Sequence, residues 1–310
     1  MDALLTVVGL GCLVLGAEVM IRGAVALAFR ARITPLVVGL TVVSMGTSVP
    51  ELLVSLLAAL KGSTVVAVGN VVGSNIVNIS FILGASVFIF PIEVDRESYR
   101  IHWPVMMVVS LAFVMLFWDD VFSRWEGAGF VAMLVAYVWS MVHASRKKSS
   151  VQGSAPAPHT LPLWRSLLML VLGIGALGIG ANWFVEGAVG LARTFGVSEQ
   201  MIGVTIVAVG TSLPELITSL MAAFRKQPDI SLGNLIGSNI FNLLGIIGIT
   251  AIVYPIGVDH SSFLLDLGAM LLVALILYPL MRRGRKLGRW QGLLLMVCYV
   301  AYMVFVVDRG

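Results

Sequence analysis

The feature that most constrains this chain is a gapless internal duplication. Gly46-Thr47-Ser48-Val49-Pro50-Glu51 recurs 164 residues later as Gly210-Thr211-Ser212-Leu213-Pro214-Glu215, and Gly69 to Asn78 (GNVVGSNIVN) recurs at the same offset as Gly233 to Asn242 (GNLIGSNIFN). Gly16 and Gly180, Gly23 and Gly187, and Gly39 and Gly203 keep that spacing. Apolar segments run over 3–28, 35–60, 64–91, 103–118, 126–144, 166–192, 200–224, 230–255, 263–280 and 290–307, five to each copy. A spanning helix needs about 20 apolar residues. An odd number of crossings per copy sets the second copy in the membrane upside down relative to the first, the plan of secondary transporters. The expected fold is therefore an all-α polytopic membrane protein with ten transmembrane helices in two inverted five-helix repeats. The repeats occupy 1–144 and 164–310, with a linker at 145–163 whose basic and then Ser-, Ala- and Pro-rich composition is that of a flexible connection.

Composition agrees with this plan. Of the 310 residues, 59% are hydrophobic and 12% charged, against about 25% charged in a soluble domain, which excludes a soluble globular protein. Placing the amino terminus outside assigns fifteen of the 20 lysines and arginines to inner loops. The positive-inside rule then sets both termini outside. Met1-Asp2-Ala3 lacks the basic region of a cleavable signal peptide, so the first apolar segment is expected to be retained. The net charge of +4 reports orientation rather than nucleic-acid binding, and no protein partner is expected. Cys12 and Cys298 lie far apart in apolar stretches and form neither a disulfide framework nor a metal motif.

The repeated motifs carry the chemistry. An ionised carboxylate near the bilayer centre costs about 2.5 to 3.5 kcal/mol, so Glu51 and Glu215 require compensation. The nearest cations in sequence, Lys61 and Arg225, lie about 15 Å away along a helix at roughly 1.5 Å per residue. Bound metal ions, water or protons remain. Pro50 and Pro214 donate no N–H and are expected to free the carbonyls of Gly46 and Gly210. Thr47, Ser48, Thr211 and Ser212 add oxygens beside each break. Ser74 and Asn78, like Ser238 and Asn242, are four apart and share a helix face. The donors are all oxygen, which favours Ca²⁺ or Na⁺ over Zn²⁺ or Cu.

At these residues the sequence resembles the cation/calcium exchanger family, which includes the sodium/calcium exchangers. The resemblance rests on GTSVPE with GSNIVN and GTSLPE with GSNIFN, each Asn-rich motif standing at the same distance from its proline. It implies an antiporter that exchanges Ca²⁺ for Na⁺ by alternating access. Segments two, three, seven and eight would build the ion site, and segments one and six would move against it. It further implies Glu51 and Glu215 as principal ligands, with oxygens from Thr47, Ser48, Ser74, Asn78, Thr211, Ser212, Ser238 and Asn242. Many family members carry Asp where Asn78 or Asn242 stands here. The two glutamates alone then give the site its charge, and Na⁺ and H⁺ both stay open as the counter-ion. No cofactor is expected beyond the transported ions.

Other residues receive plainer expectations. Asn75 and Asn239 either ligate the ion or bond backbone between helices, and the motif glycines serve packing. Glu18 and Arg22 form an i, i+4 ion pair, and Asp266 is solvated. His102, His143, His159 and His260 fall in loops or at span ends. An intramembrane hydrolase using the two glutamates would lack HExxH, a Ser-His arrangement and any cofactor motif, so no enzyme is expected. A passive cation channel is the alternative of another class. The absence of a large soluble insert points to a minimal prokaryotic transporter in the inner membrane.

Overall fold

A computed structural model describes residues 1–151, 161–196 and 208–309. It is helical apart from two small ribbons. The helices are α1 Asp2–Ala31, α2 Pro35–Thr47, α3 Val49–Leu60, α4 Thr64–Ile89, α5 Ser98–Asp119, α6 Arg124–Val151, α7 Leu163–Thr194, α8 Leu213–Phe224, α9 Pro228–Val253, α10 His260–Arg282 and α11 Arg289–Arg309. Among the described residues eight helices are long and apolar enough to cross a membrane, and the bent pair α2 and α3 makes a ninth. The remaining expected segment, 200–224, the seventh in chain order, lies partly outside the described residues and is represented by α8 after a helical turn at Ala208–Gly210. Gly203, His159 and residues 152–160 of the expected linker also lie outside them.

The linker begins later than expected. Helix α6 runs on to Val151, because the run of Arg and Lys consists of good helix formers. Its end is docked: Thr34 N donates to Ser145 Oγ at 2.9 Å, and Arg146 Nε donates to the Ala31 carbonyl at 3.3 Å at the close of α1.

Two antiparallel ribbons were not anticipated. Strand β1 (Ile92–Glu93) pairs with β4 (Lys286–Leu287), and β2 (Val121–Phe122) pairs with β3 (Ile256–Gly257). Each joins a loop of one repeat to a loop of the other, so the halves are clipped together at two places.

Helices α1 and α7 form a separate antiparallel layer held by very close packing. A Cβ added at Gly16 would lie 2.9 Å from the Leu177 backbone nitrogen and 3.0 Å from the Gly173 carbonyl, so only glycine permits this approach. Leu13, Ala17, Met20 and Ile21 of α1 join a buried apolar cluster with Leu213 and Ala222 of α8 and Ile230 of α9. The layer thus covers α8 but not its repeat mate α3, whose Leu53, Leu57 and Leu60 are exposed. The remaining helices share a second, larger core around α4 and α9.

Candidate cation site

The two broken helices meet head to head. Helix α2 ends at Thr47, and α3 restarts at Val49 after a bend of 45°. Ser48 holds φ −87°, ψ 9°, and Ser212, at the matching position before α8, holds φ −92°, ψ 10°. Pro50 and Pro214 fall in the first turn of the restarted helices rather than inside continuous ones. There a missing N–H leaves no bond unmade. Glu51 and Glu215 occupy that same first turn, where the partial positive charge of a helix start faces an acid. Helices α4 and α9 cross the breaks, and each widens into a π-helical turn that opens on its motif asparagine, at Asn78–Ile82 and Asn242–Ile247. Such turns recur at functional sites.

The side chains interlock across the repeats with the symmetry of the sequence. Ser48 Oγ donates to Glu215 Oε1 at 2.8 Å, and Ser212 Oγ to Glu51 Oε1 at 3.3 Å. Ser48 also lies 3.2 Å from Ser238 Oγ, and Ser212 lies 3.4 Å from Ser74 Oγ. Asn78 Nδ2 donates to Asn239 Oδ1, and Asn242 Nδ2 to Asn75 Oδ1, both at 3.1 Å. Nine of the ten candidate ligands are buried; Thr211 is half-buried and makes none of these bonds.

What remains unbonded defines the chemistry. Among the described residues ten buried side-chain atoms lack a hydrogen-bond partner, and four of them, Glu51 Oε2, Glu215 Oε2, Asn78 Oδ1 and Asn242 Oδ1, belong to the candidate ligands. All four are acceptors at two repeat-related pairs of positions. Buried polar atoms are rarely left unpaired, because each costs about 1 to 3 kcal/mol. Such oxygens suit a hard cation.

Asn239 bonds the Asn75 backbone carbonyl, one of the two expectations for it, whereas the Asn75 side chain bonds the side chains of Met270 and Asn242 rather than backbone. A supporting layer escaped the sequence reading. Asn70 Nδ2 donates to Ser55 Oγ at 2.9 Å and to the Glu51 carbonyl at 3.2 Å, while Asn234 Nδ2 donates to Ser219 Oγ at 3.0 Å. Thr47 Oγ1 lies 3.2 Å from Asn234 Oδ1. The signal was present, since Asn70 and Ser55 recur as Asn234 and Ser219 at the repeat offset.

Elsewhere, Glu18 pairs with Arg22 as expected and also takes a two-pronged bond from Arg225 beyond α8, with Nε at 2.7 Å. Asp266 is half-buried and accepts from Tyr302 Oη at 2.9 Å, so it is not simply solvated. His102 stands at the start of a span as expected, but it is buried, with Nδ1 2.9 Å from Tyr137 Oη. His260 lies 2.7 Å from Asp120 Oδ1 through Nδ1.

The sequence matches the family model described as sodium/calcium exchanger protein over residues 1–142 and 165–307. It is 37% identical to the putative antiporter CaxA of Alkalimonas amylolytica, covering 95% of each chain. It is 30% identical to the sodium/calcium exchanger MaX1 of Methanosarcina acetivorans, covering 97% of each. The sodium-calcium exchanger NCX_Mj, soaked with zero Na⁺ and Ca²⁺, superposes with a TM-score of 0.84 at 30% identity, covering 98% of both chains.

Proposed function

The chain belongs to the sodium/calcium exchanger family of membrane antiporters, and on that premise we propose that it exchanges Ca²⁺ for Na⁺ by alternating access to one midplane site. The observation that carries this reading is the set of four unpartnered oxygens on Glu51, Glu215, Asn78 and Asn242. Glu51 and Glu215 supply the charge, and Thr47, Ser48, Ser74, Thr211, Ser212 and Ser238 add hydroxyl oxygens around them. Calcium takes 6 to 8 oxygens in flexible geometry, which this donor set provides. Two carboxylates neutralise one Ca²⁺.

The α1 and α7 layer is the moving part in this reading. Its close glycine packing favours motion as one body, and its contact with α8 but not α3 suits a protein open at one end only. Bacterial relatives include the inner membrane protein YrbG of Escherichia coli, which supports an inner-membrane location; both termini are placed outside by the distribution of Lys and Arg. The two repeats, the first carried on by α6 to Val151 and the second over 164–310, are the structural units.

In proteoliposomes an outward Na⁺ gradient should drive ⁴⁵Ca²⁺ uptake, and Glu51→Gln and Glu215→Gln should each abolish it. Undiminished exchange in both variants refutes the site. Proton coupling is the second reading, favoured because Glu51 and Glu215 are the titratable side chains among the described candidate ligands, with amides at 78 and 242. Uptake driven by a pH gradient alone would select it. Failure of trans Na⁺ or H⁺ to accelerate Ca²⁺ flux would instead indicate a channel.

A further inference from the structure

We propose that Asn75 and Asn239 are positioning residues that fix which end of the Asn242 and Asn78 amides faces the cation. This rests on the cation-site reading above. An amide can present either its oxygen or its NH₂, and only the oxygen ligates a metal ion. Bond polarity decides the choice here, starting from groups that can only accept. Asn239 Nδ2 donates to the Asn75 backbone carbonyl at 3.2 Å and to Met106 Sδ at 3.8 Å. Its oxygen is thereby turned toward Asn78, which must answer with Nδ2, at 3.1 Å. Asn78 Oδ1 is left facing no donor among the described residues.

The mirror chain starts at Met270 Sδ, 3.7 Å from Asn75 Nδ2. Asn75 Oδ1 then accepts from Asn242 Nδ2 at 3.1 Å, and Asn242 Oδ1 is left free. Each repeat therefore orients a ligand of the other. A turned amide would point N–H groups at the cation, replacing attraction by repulsion.

A double-mutant cycle on the full purified chain, read by calorimetric Ca²⁺ titration, separates orientation from packing. Asn75→Leu should raise the Ca²⁺ Kd about tenfold, the scale of one net hydrogen bond. Asn75→Asp keeps the acceptor for Asn242 and should stay within about threefold. In an Asn242→Asp background the ligand has two equivalent oxygens and no orientation to fix, so Asn75→Leu should there cost less than about threefold. Equal losses in both backgrounds would assign Asn75 a packing role and overturn the proposal. Met270→Leu is nearly volume-conserving, which guards against misfolding, and it removes the anchor of Asn75. It should weaken Ca²⁺ binding more than Met106→Leu, since Asn239 keeps the Asn75 carbonyl; the reverse order would also overturn the proposal. Absence of Ca²⁺ binding by the unaltered chain would overturn the cation-site reading itself, and this proposal with it.

Discussion

Glu215→Gln keeps the shape of the side chain and an oxygen that can accept from Ser48, while removing one of the two negative charges of the site. A Ca²⁺ ion about 2.4 Å from a carboxylate oxygen is attracted by a gross energy of about 14 kcal/mol at an effective dielectric constant of about 20. Most of that is offset by dehydrating the ion and the carboxylate. If only a tenth survives, about 1.4 kcal/mol remains, which is one decade of affinity. Glu215→Gln should therefore weaken Ca²⁺ at least about tenfold. Thermal unfolding in detergent is the assay, because a ligand at about 100 times its Kd stabilises the folded state by about 2.7 kcal/mol. The unaltered chain should show a Ca²⁺-dependent rise in Tm that Mg²⁺ at the same concentration does not reproduce. At a concentration chosen at about 100 times the original Kd, a tenfold loss reduces the stabilisation to about 1.4 kcal/mol, so the Tm rise should fall to half or less. Without Ca²⁺, the variant should melt no lower than the parent, since a buried charge has been removed. A Ca²⁺ shift of full size in Glu215→Gln would refute the reasoning, as would a parent protein indifferent to Ca²⁺.

Two further outcomes follow from contacts away from the site. Glu18 and Arg225 tie the α1 and α7 layer to the end of α8 by a two-pronged bond; because Arg225 is substantially exposed, a cycle of Glu18→Gln, Arg225→Gln and both should show a coupling of only about 0.5 to 1 kcal/mol in thermal stability. Strict additivity would show the pair to be idle. Asp120 accepts from the His260 backbone N–H and then from its ring, which holds its carboxyl below the usual value. A depressed acid contributes stability above its unfolded pKa and loses it as the pH falls through the folded one. Lowering the pH from 5 to 3 should accordingly reduce the Tm of the parent more than that of Asp120→Asn, a substitution that also tolerates the positive φ of 67° at this position. Parallel curves would remove Asp120 from the acid transition.

Much of this protein is legible in the linear sequence, for reasons of local physics. A helix spanning lipid must be apolar over its length, so the segments announce themselves, and the constant offset between GTSVPE and GTSLPE pairs the halves without a structure. An acid in an apolar segment is conspicuous, so Glu51 and Glu215 stand out unaided. Helical spacing also puts Ser74 on one face with Asn78, because four residues make about one turn. Helix ends were less legible. The run through Arg146 to Val151 reads as linker by composition, yet continues α6 because Ser145 and Arg146 find partners at the turn after α1.

Only the tertiary structure decided which oxygens are free. Asn75, Asn78, Asn239 and Asn242 are chemically identical amides in near-identical motifs. Two turn an oxygen to the site and two serve them because of partners more than 130 residues away: Asn239 for Asn78, the Asn75 carbonyl and Met106 for Asn239. Likewise the sequence pairs Glu18 with Arg22 by helical periodicity, whereas Arg225 comes from 207 positions further along. Periodicity describes which side chains share a face of one helix. Which donor meets which acceptor across helices depends on how those faces are brought together, and among the described residues that arrangement is what leaves the four oxygens of Glu51, Glu215, Asn78 and Asn242 unpaired.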